Sequence, residues 1–277
     1  MWKSKHIFIH DYQLLEEFLK DKLLPYLDEE NVQYFFIRYW DGGPHIRLRY
    51  KLSETLAKNF ENGIKVLLSK FQEKYRDFPF EAVAYNPTIV QTEDIEPALP
   101  YPNFSIQAVD YIPELYRYGG EEGLELSEKL FEHSSRFAAE IIQKLNRNQR
   151  YTLAIDIMYS CAAIARKLGY FEQNQEFFKA YRKIWMQFSE HKIPVELKEA
   201  LEKRIVRLQN GELDLQFYQP YLNIFKSIIY QIKQCQTTMD SIYAYYIVIS
   251  HLHMLNNRLG VSPEYEFIFS NALVKAE

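Results

Sequence analysis

The chain has 277 residues, with 33 Lys and Arg against 37 Asp and Glu, a formal net charge of −4 and a pI near 6.0. That balance gives no support to direct nucleic-acid binding, which calls for a basic surface, although net charge leaves a local basic cleft open. Hydrophobic residues make up 47% and charged residues 25%, with only 9 Gly and 11 Pro, which excludes disordered and collagen-like classes and leaves a globular protein.

In chain order, residues 5–10 (KHIFIH) read as a strand, and Asp11 as the N-cap of a helix over 12–27 with Leu14, Leu15, Phe18, Leu19, Leu23 and Tyr26 as its apolar stripe. Two apolar-rich runs, 34–40 and 45–52, flank Asp41-Gly42-Gly43-Pro44 and predict a β-hairpin. In the second run the period of two sets His45, Arg47 and Arg49 on one face and Ile46, Leu48 and Tyr50 on the other. A helix follows from Ser53-Glu54 to about residue 76. The proline-rich stretch 77–120 reads as turns and short strands, with strands placed at 80–85 and 105–112. From 121 onward the pattern is helical, with helices placed near 121–146, 150–168, 171–189, 195–209, 215–234, 238–257 and 263–275. The fold class is α+β, with an N-terminal strand-and-helix region and its hairpin packed on a mainly helical C-terminal half. With no repeat and no flexible linker, 1–277 reads as one domain, mixed α/β over 1–120 and helical over 121–277.

Several chemistries lack their residues. Neither G-x-G-x-x-G nor G-x-x-x-x-G-K-[ST] occurs, so a nucleotide cofactor has no warrant. C-x-x-C, H-E-x-x-H and G-x-S-x-G are missing too. His251 and His253 on one helix point about 200° apart, which argues against a shared metal. Cys161 and Cys235 are too few for a disulfide framework or a zinc site and read as small buried hydrophobes. No apolar run approaches about 18 residues and the N-terminus has no cleavable signal, so a cytoplasmic protein without membrane contact is expected. The 22 Tyr and 19 Phe fit core-edge packing or the lining of a polar groove.

Three clusters ask for an explanation. RYWDGGPHIRLR (38–49) repeats arginine on a strand face; guanidinium groups hold carboxylates or stabilise charge developing on oxygen, while the ordinary alternative is a solvated strand face. In PELYRYGG (113–120), Glu114 and Arg117 stand three apart, neighbours on one helical turn and on spacing alone an ordinary surface ion pair. SHLHMLNNRLG (250–260) closes a long apolar helix. There His253 and Asn257 share a face beside Arg258, and Gly260 fits a C-terminal cap. A histidine in that place is either a satisfied core residue or a proton-transfer group.

Together these clusters resemble the C-terminal elimination domain of class I lantibiotic dehydratases, a domain also found as a separate protein in thiopeptide pathways. The resemblance runs from Trp2 through Leu24-Pro25, FFIRYWDGGPHIRLR (35–49), PELYRYGG (113–120) and LFEHSS (130–135) to HMLNNRLG (253–260), nearly the whole chain in matching order. The family pattern carries Asp-Ser after its Leu-Phe pair, where this chain has Ser134-Ser135.

The resemblance implies a stand-alone lyase that removes glutamate from glutamylated Ser or Thr of a ribosomally made precursor peptide, leaving dehydroalanine or dehydrobutyrine. It implies Arg47, Arg49, Arg117 and His253 as catalytic residues converging on one cleft, with His45, Glu114, Arg38, Asn257 and Arg258 contacting substrate. His253 is the first choice for proton transfer and His45 the second. Cofactors and metals are not expected. The expected partners are the precursor peptide and a separate glutamyl-tRNA-dependent glutamylation protein, with a homodimer left open. Two competing readings are a thiopeptide [4+2] pyridine synthase, which need not keep this arginine-histidine set, and a non-catalytic scaffold for the precursor peptide.

Overall fold

The computed structural model describes residues 1–190, 193–236 and 241–276. It is α+β, and the chain divides into two compact units, residues 1–112 with 138–144, and 113–137 with 145–277. The division thus falls near 112, earlier than the composition change at 120, and one short helical segment joins the first unit.

The first unit is built on an antiparallel sheet in the order β2-β3-β1-β4, comprising β1 (Lys3–Phe8), β2 (Gln33–Tyr39), β3 (His45–Lys51) and β4 (Ser105–Ala108). The β2–β3 hairpin pairs Tyr39 with His45, Ile37 with Arg47 and Phe35 with Arg49. Its turn depends on Gly43, whose φ of 101° is a conformation that L side chains rarely adopt. A Cβ there would also meet the His10 ring nitrogen at 2.8 Å. On one sheet face Ile7, Phe36, Ile46, Leu48 and Tyr50 are fully buried. That face meets α3 (Glu54–Lys74), where Tyr50 packs on Phe60 at 4.8 Å and its hydroxyl donates to Glu61.

The single helix expected over 12–27 is three continuous pieces, α1 (Tyr12–Phe18), a wider π turn (Leu19–Leu23) and α2 (Leu24–Glu29). Pro25 lacks an N–H and cannot bond Asp21 in a regular α-turn, and the Leu24 N–H reaches back five residues to Leu19. Asp11 caps α1 through Gln13 and Leu14, as its position predicts. Residues 80–85 form no strand. They pair with none of the four strands, and Phe80 packs on Phe78 and Phe104. The next ordered piece is a short helix the sequence reading missed, α4 (Pro87–Glu93), started by Asn86 as cap and proline in its first turn.

In the second unit the helices are α5 (Gly120–Lys144, which carries the 138–144 segment of the first unit), α6 (Arg147–Lys167), α7 (Asn174–Ile184), α8 (Val195–Gln209), α9 (Gln219–Cys235), α10 (Ser241–Leu259) and α11 (Pro263–Ala276). Each answers an expected helix; of the one placed at 238–257, residues 238–240 lie outside the described residues. Helix α10 is buried through Ile247, Val248, Leu252, Leu255 and Leu259 and packs on α6 and α7. It ends at Gly260, φ 77°, where Val261 N–H bonds Asn256 O at 2.9 Å and Gly260 N–H bonds Asn257 O at 3.1 Å. This is a Schellman cap. Arg150 donates to the last carbonyl of α10, Leu259 O, at 2.9 Å, placing a cation at the negative end of the helix. Ser262 then accepts the first amides of α11, so the two helices are joined by three residues.

Asp156 is 1% exposed and binds Arg204 Nε at 2.9 Å and Tyr218 OH at 2.7 Å, tying α6 to α8 and to the turn before α9. Replacing Asp156 by Ala strands a guanidinium and a hydroxyl, and a loss of about 3 kcal/mol in urea unfolding is expected; Asp156→Asn, which retains part of the bonding, should lose less.

Candidate functional site

The charged face of β3 is more enclosed than a solvated strand face. His45 is 1% and Arg49 8% exposed, and Arg47 is half-buried. Arg47 lies flat over the Tyr39 ring, with its guanidinium carbon 3.4 Å from the ring centroid, and its Nε donates to His45 Nε2 at 3.2 Å. His45 Nδ1 donates in turn to Gly43 O at 2.8 Å. Both ring nitrogens are therefore in use and the tautomer is set by the carbonyl. Burial drives the His45 pKa down to about 3, and Arg47 and Arg49 push the same way. His45 is thus enclosed, with its Nε2 accepting from Arg47 and its Nδ1 donating to the turn carbonyl.

His6 on β1, cross-strand to Arg47, stacks on His45 at 4.8 Å. Burial, then His45 and the two arginines, lowers its pKa to about 2. Arg47 has no ion-pair partner among the described residues; its nearest acidic influences are Tyr39, Asp41 and Glu93. Glu93, delivered by α4, accepts from Tyr39 OH at 2.8 Å and Trp40 Nε1 at 2.9 Å and fixes the ring on which Arg47 rests. Arg49 reaches Arg47 O at 3.3 Å and lies 5.8 Å from the Phe35 ring centroid.

Arg38 does not join this group. It is cross-strand to Ile46, hence on the opposite face, and pairs with Glu16 of α1. The period of two, applied to β2, carries it to the side away from Arg47.

In the second unit Glu114 and Arg117 form the expected pair, Arg117 Nη1 to Glu114 Oε2 at 3.1 Å, at the start of a 3-10 turn (Leu115–Tyr118). Both side chains are about half exposed. On α10 the two histidines diverge, as their spacing requires. His251, 3% exposed, bonds Ser127 Oγ at 3.1 Å; burial, aided by Arg258, brings its pKa to about 3. His253 keeps 20% of its side chain exposed and sets Nδ1 2.8 Å from Glu266 Oε1 on α11. Its ring centroid is 4.9 Å from that of Trp185, whose indole N–H has no hydrogen-bond partner among the described residues. Glu266 is wholly buried and also accepts from Tyr181 OH. Asn257, four residues after His253 on α10, is half-buried. Arg258 is 1% exposed and donates Nε to Ser135 Oγ at 2.9 Å, in the motif where the family pattern carries Asp-Ser.

Sequence reasoning missed His6, Glu266, Tyr181 and Trp185. His6 was legible as the alternate position of KHIFIH. Glu266 was marked only by being an acid inside an otherwise apolar stretch, YEFIF.

The profile described as "Lantibiotic biosynthesis dehydratase C-term" matches residues 2–276. The chain belongs to that family. The likeness inferred from the motifs is thus membership over nearly the full length. Epidermin biosynthesis protein EpiB of Staphylococcus epidermidis is 25% identical over 289 residues, covering 97% of this chain and 25% of EpiB. Among solved structures, the tRNA-dependent lantibiotic dehydratase MibB from Microbispora sp. 107891 aligns with TM-score 0.65 at 18% identity, over 99% of this chain and 28% of MibB. The pyridine synthase TbtD from thiomuracin biosynthesis aligns at 0.61 and 14% identity, over 99% of this chain and 97% of TbtD. TsrL aligns at 0.61 and 13% identity, over 100% of this chain and 95% of TsrL. This family member therefore spans about a quarter of EpiB and MibB. No helix among the described residues is long and apolar enough to cross a membrane.

The enclosed histidines set an acid limit on stability. His6, His45 and His251 have folded pKa values of about 2, 3 and 3, below the unfolded value of about 6.5. The unfolded chain binds these protons first. Their contribution is full above about pH 6.5 and is lost as pH falls toward 3, by up to about 1.4 kcal/mol per pH unit for each group. Urea unfolding at pH 7 and pH 4.5 should show this loss, and His251→Gln, which can still bond Ser127, should shrink it by one proton's share.

Proposed function

We propose that this family member catalyses the elimination half of peptide dehydration, removing glutamate from glutamylated Ser or Thr of a precursor peptide. The carrying observation is Arg47, a half-buried guanidinium fixed by Tyr39 and His45 with no carboxylate of its own among the described residues. Such a group is prepared for an anion, and the departing glutamate is one. In the reaction a base takes the α-proton, those electrons form the Cα–Cβ double bond, and the Cβ–O bond breaks to release a carboxylate.

Arg47 and Arg49 suit the leaving carboxylates, and Arg117, oriented by Glu114, suits the amide oxygen on which charge develops. His253 suits the proton. Arg38 and Arg258 are left out of the substrate contacts because each is committed elsewhere. The esterification step, proposed to draw on glutamyl-tRNA, lies outside these residues, and neither nucleotide nor metal is needed for elimination.

Chelator-treated protein given a peptide with a preformed glutamyl ester should release glutamate and show the matching mass loss. A requirement for added metal or ATP would overturn the proposal. Arg117→Ala, at an exposed position, should fold normally and lose about 10²–10³-fold in rate, the scale of one lost oxyanion donor. Arg47→Ala should lose at least as much.

A second reading, cyclisation of two dehydroalanines, draws on the likeness in fold to the pyridine synthase TbtD. The stalled product separates the two. Blocked variants beside an active glutamylating partner should accumulate glutamyl esters; recovery of linear peptide already dehydrated, with no glutamyl adduct, would favour cyclisation.

A further inference from the structure

We propose that Glu266 is a positioning residue for His253, holding the imidazole with Nδ1–H directed at its carboxylate so that Nε2 is the proton acceptor. For its catalytic meaning the inference rests on the elimination reading; the geometry stands without it.

A carboxylate with 0% exposure needs partners for both oxygens. Tyr181 OH and His253 Nδ1 are those partners, and no Lys or Arg lies within ion-pair distance of Glu266 among the described residues. His253 is thus the group that can face the carboxylate with positive charge.

The direction of each bond follows from the next. Asn256 Nδ2 approaches the Tyr181 oxygen at 3.4 Å, so that oxygen accepts from Asn256 and its proton turns to Glu266. Carboxylate oxygens accept, and we accordingly place the proton of this bond on Nδ1. Nε2 then carries the lone pair. It makes no hydrogen bond among the described residues, while a fifth of the side chain stays open to solvent. The Trp185 ring stands against the imidazole and limits its rotation. A histidine whose second nitrogen is bound by a buried acid is fixed in tautomer and orientation, and the acid stabilises the imidazolium formed when the proton arrives.

The fold supplies this pair through the short α10–α11 connection. The Schellman cap at Gly260 ends α10 six residues after His253, and Glu266 lies in the first turn of α11.

The test is the tautomer of His253 in the full chain, read from imidazole ¹⁵N shifts in uniformly labelled protein, with His253→Gln identifying the signal. At a pH where His253 is neutral, wild type should show a protonated Nδ1 and a bare Nε2. In Glu266→Gln, Tyr181 still donates and takes the amide oxygen, turning the NH₂ toward Nδ1, so the tautomer should reverse. Elimination from a preformed glutamyl ester should fall about 10³–10⁴-fold in kcat with KM little changed. Tyr181→Phe keeps the acid, and should keep the wild-type tautomer while losing less than tenfold.

A wild-type His253 protonated at Nε2 would overturn the inference, as would a folded Glu266→Gln protein with unaltered tautomer and rate. If Glu266→Gln does not fold, the wild-type and Tyr181→Phe spectra decide. If the tautomer is as stated but wild type releases no glutamate, the elimination reading fails and the positioning of His253 by Glu266 stands.

Discussion

A charged group taken out of water loses hydration worth several kcal/mol, and only partners inside the protein can offset it. That constraint shapes both units. Asp156 draws Arg204 and Tyr218 across three stretches of the helical unit. Glu266 draws Tyr181 and His253. On the sheet, Arg47 is satisfied by an aromatic face and an imidazole nitrogen rather than by an acid. Its charge is kept while its position is fixed, in contrast to Arg38, which is paired with Glu16.

Patterns that repeat along the chain were legible in the sequence. The alternation in 45–50 gave β3 its two faces, Gly42-Gly43 marked the hairpin turn, and Gly260 marked the end of α10. The two-residue spacing of His251 and His253 predicted their opposite directions. Features set by long-range competition were not legible. Residues 80–85 carry strand-forming side chains, but they pair with no strand of the sheet, and Phe80 packs on Phe78 and Phe104. Arg38 belongs by motif to the arginine cluster, yet its register puts it on the other face. The commitment of both His45 nitrogens depends on a turn carbonyl and a neighbouring guanidinium, neither visible as a pattern.

The comparisons bear on how chemistry is distributed over this fold. A tRNA-dependent dehydratase and a pyridine synthase align with the chain at nearly equal TM-scores and below 20% identity. The backbone is therefore common ground, and a fold of this kind does not by itself fix the chemistry.

The three-residue connection between α10 and α11 makes the interval from His253 to Glu266 a counted length. One residue inserted within the helical part of that interval would turn one side chain relative to the other by about 100° around the helix axis, swinging the carboxylate off the imidazole. A change of residue type in that interval has no such effect while the cap at Gly260 holds. Spacing, more than identity, is what this stretch must preserve. The interval behaves as a ruler written in residues, and a relative that keeps both side chains but alters their separation will have lost the pair.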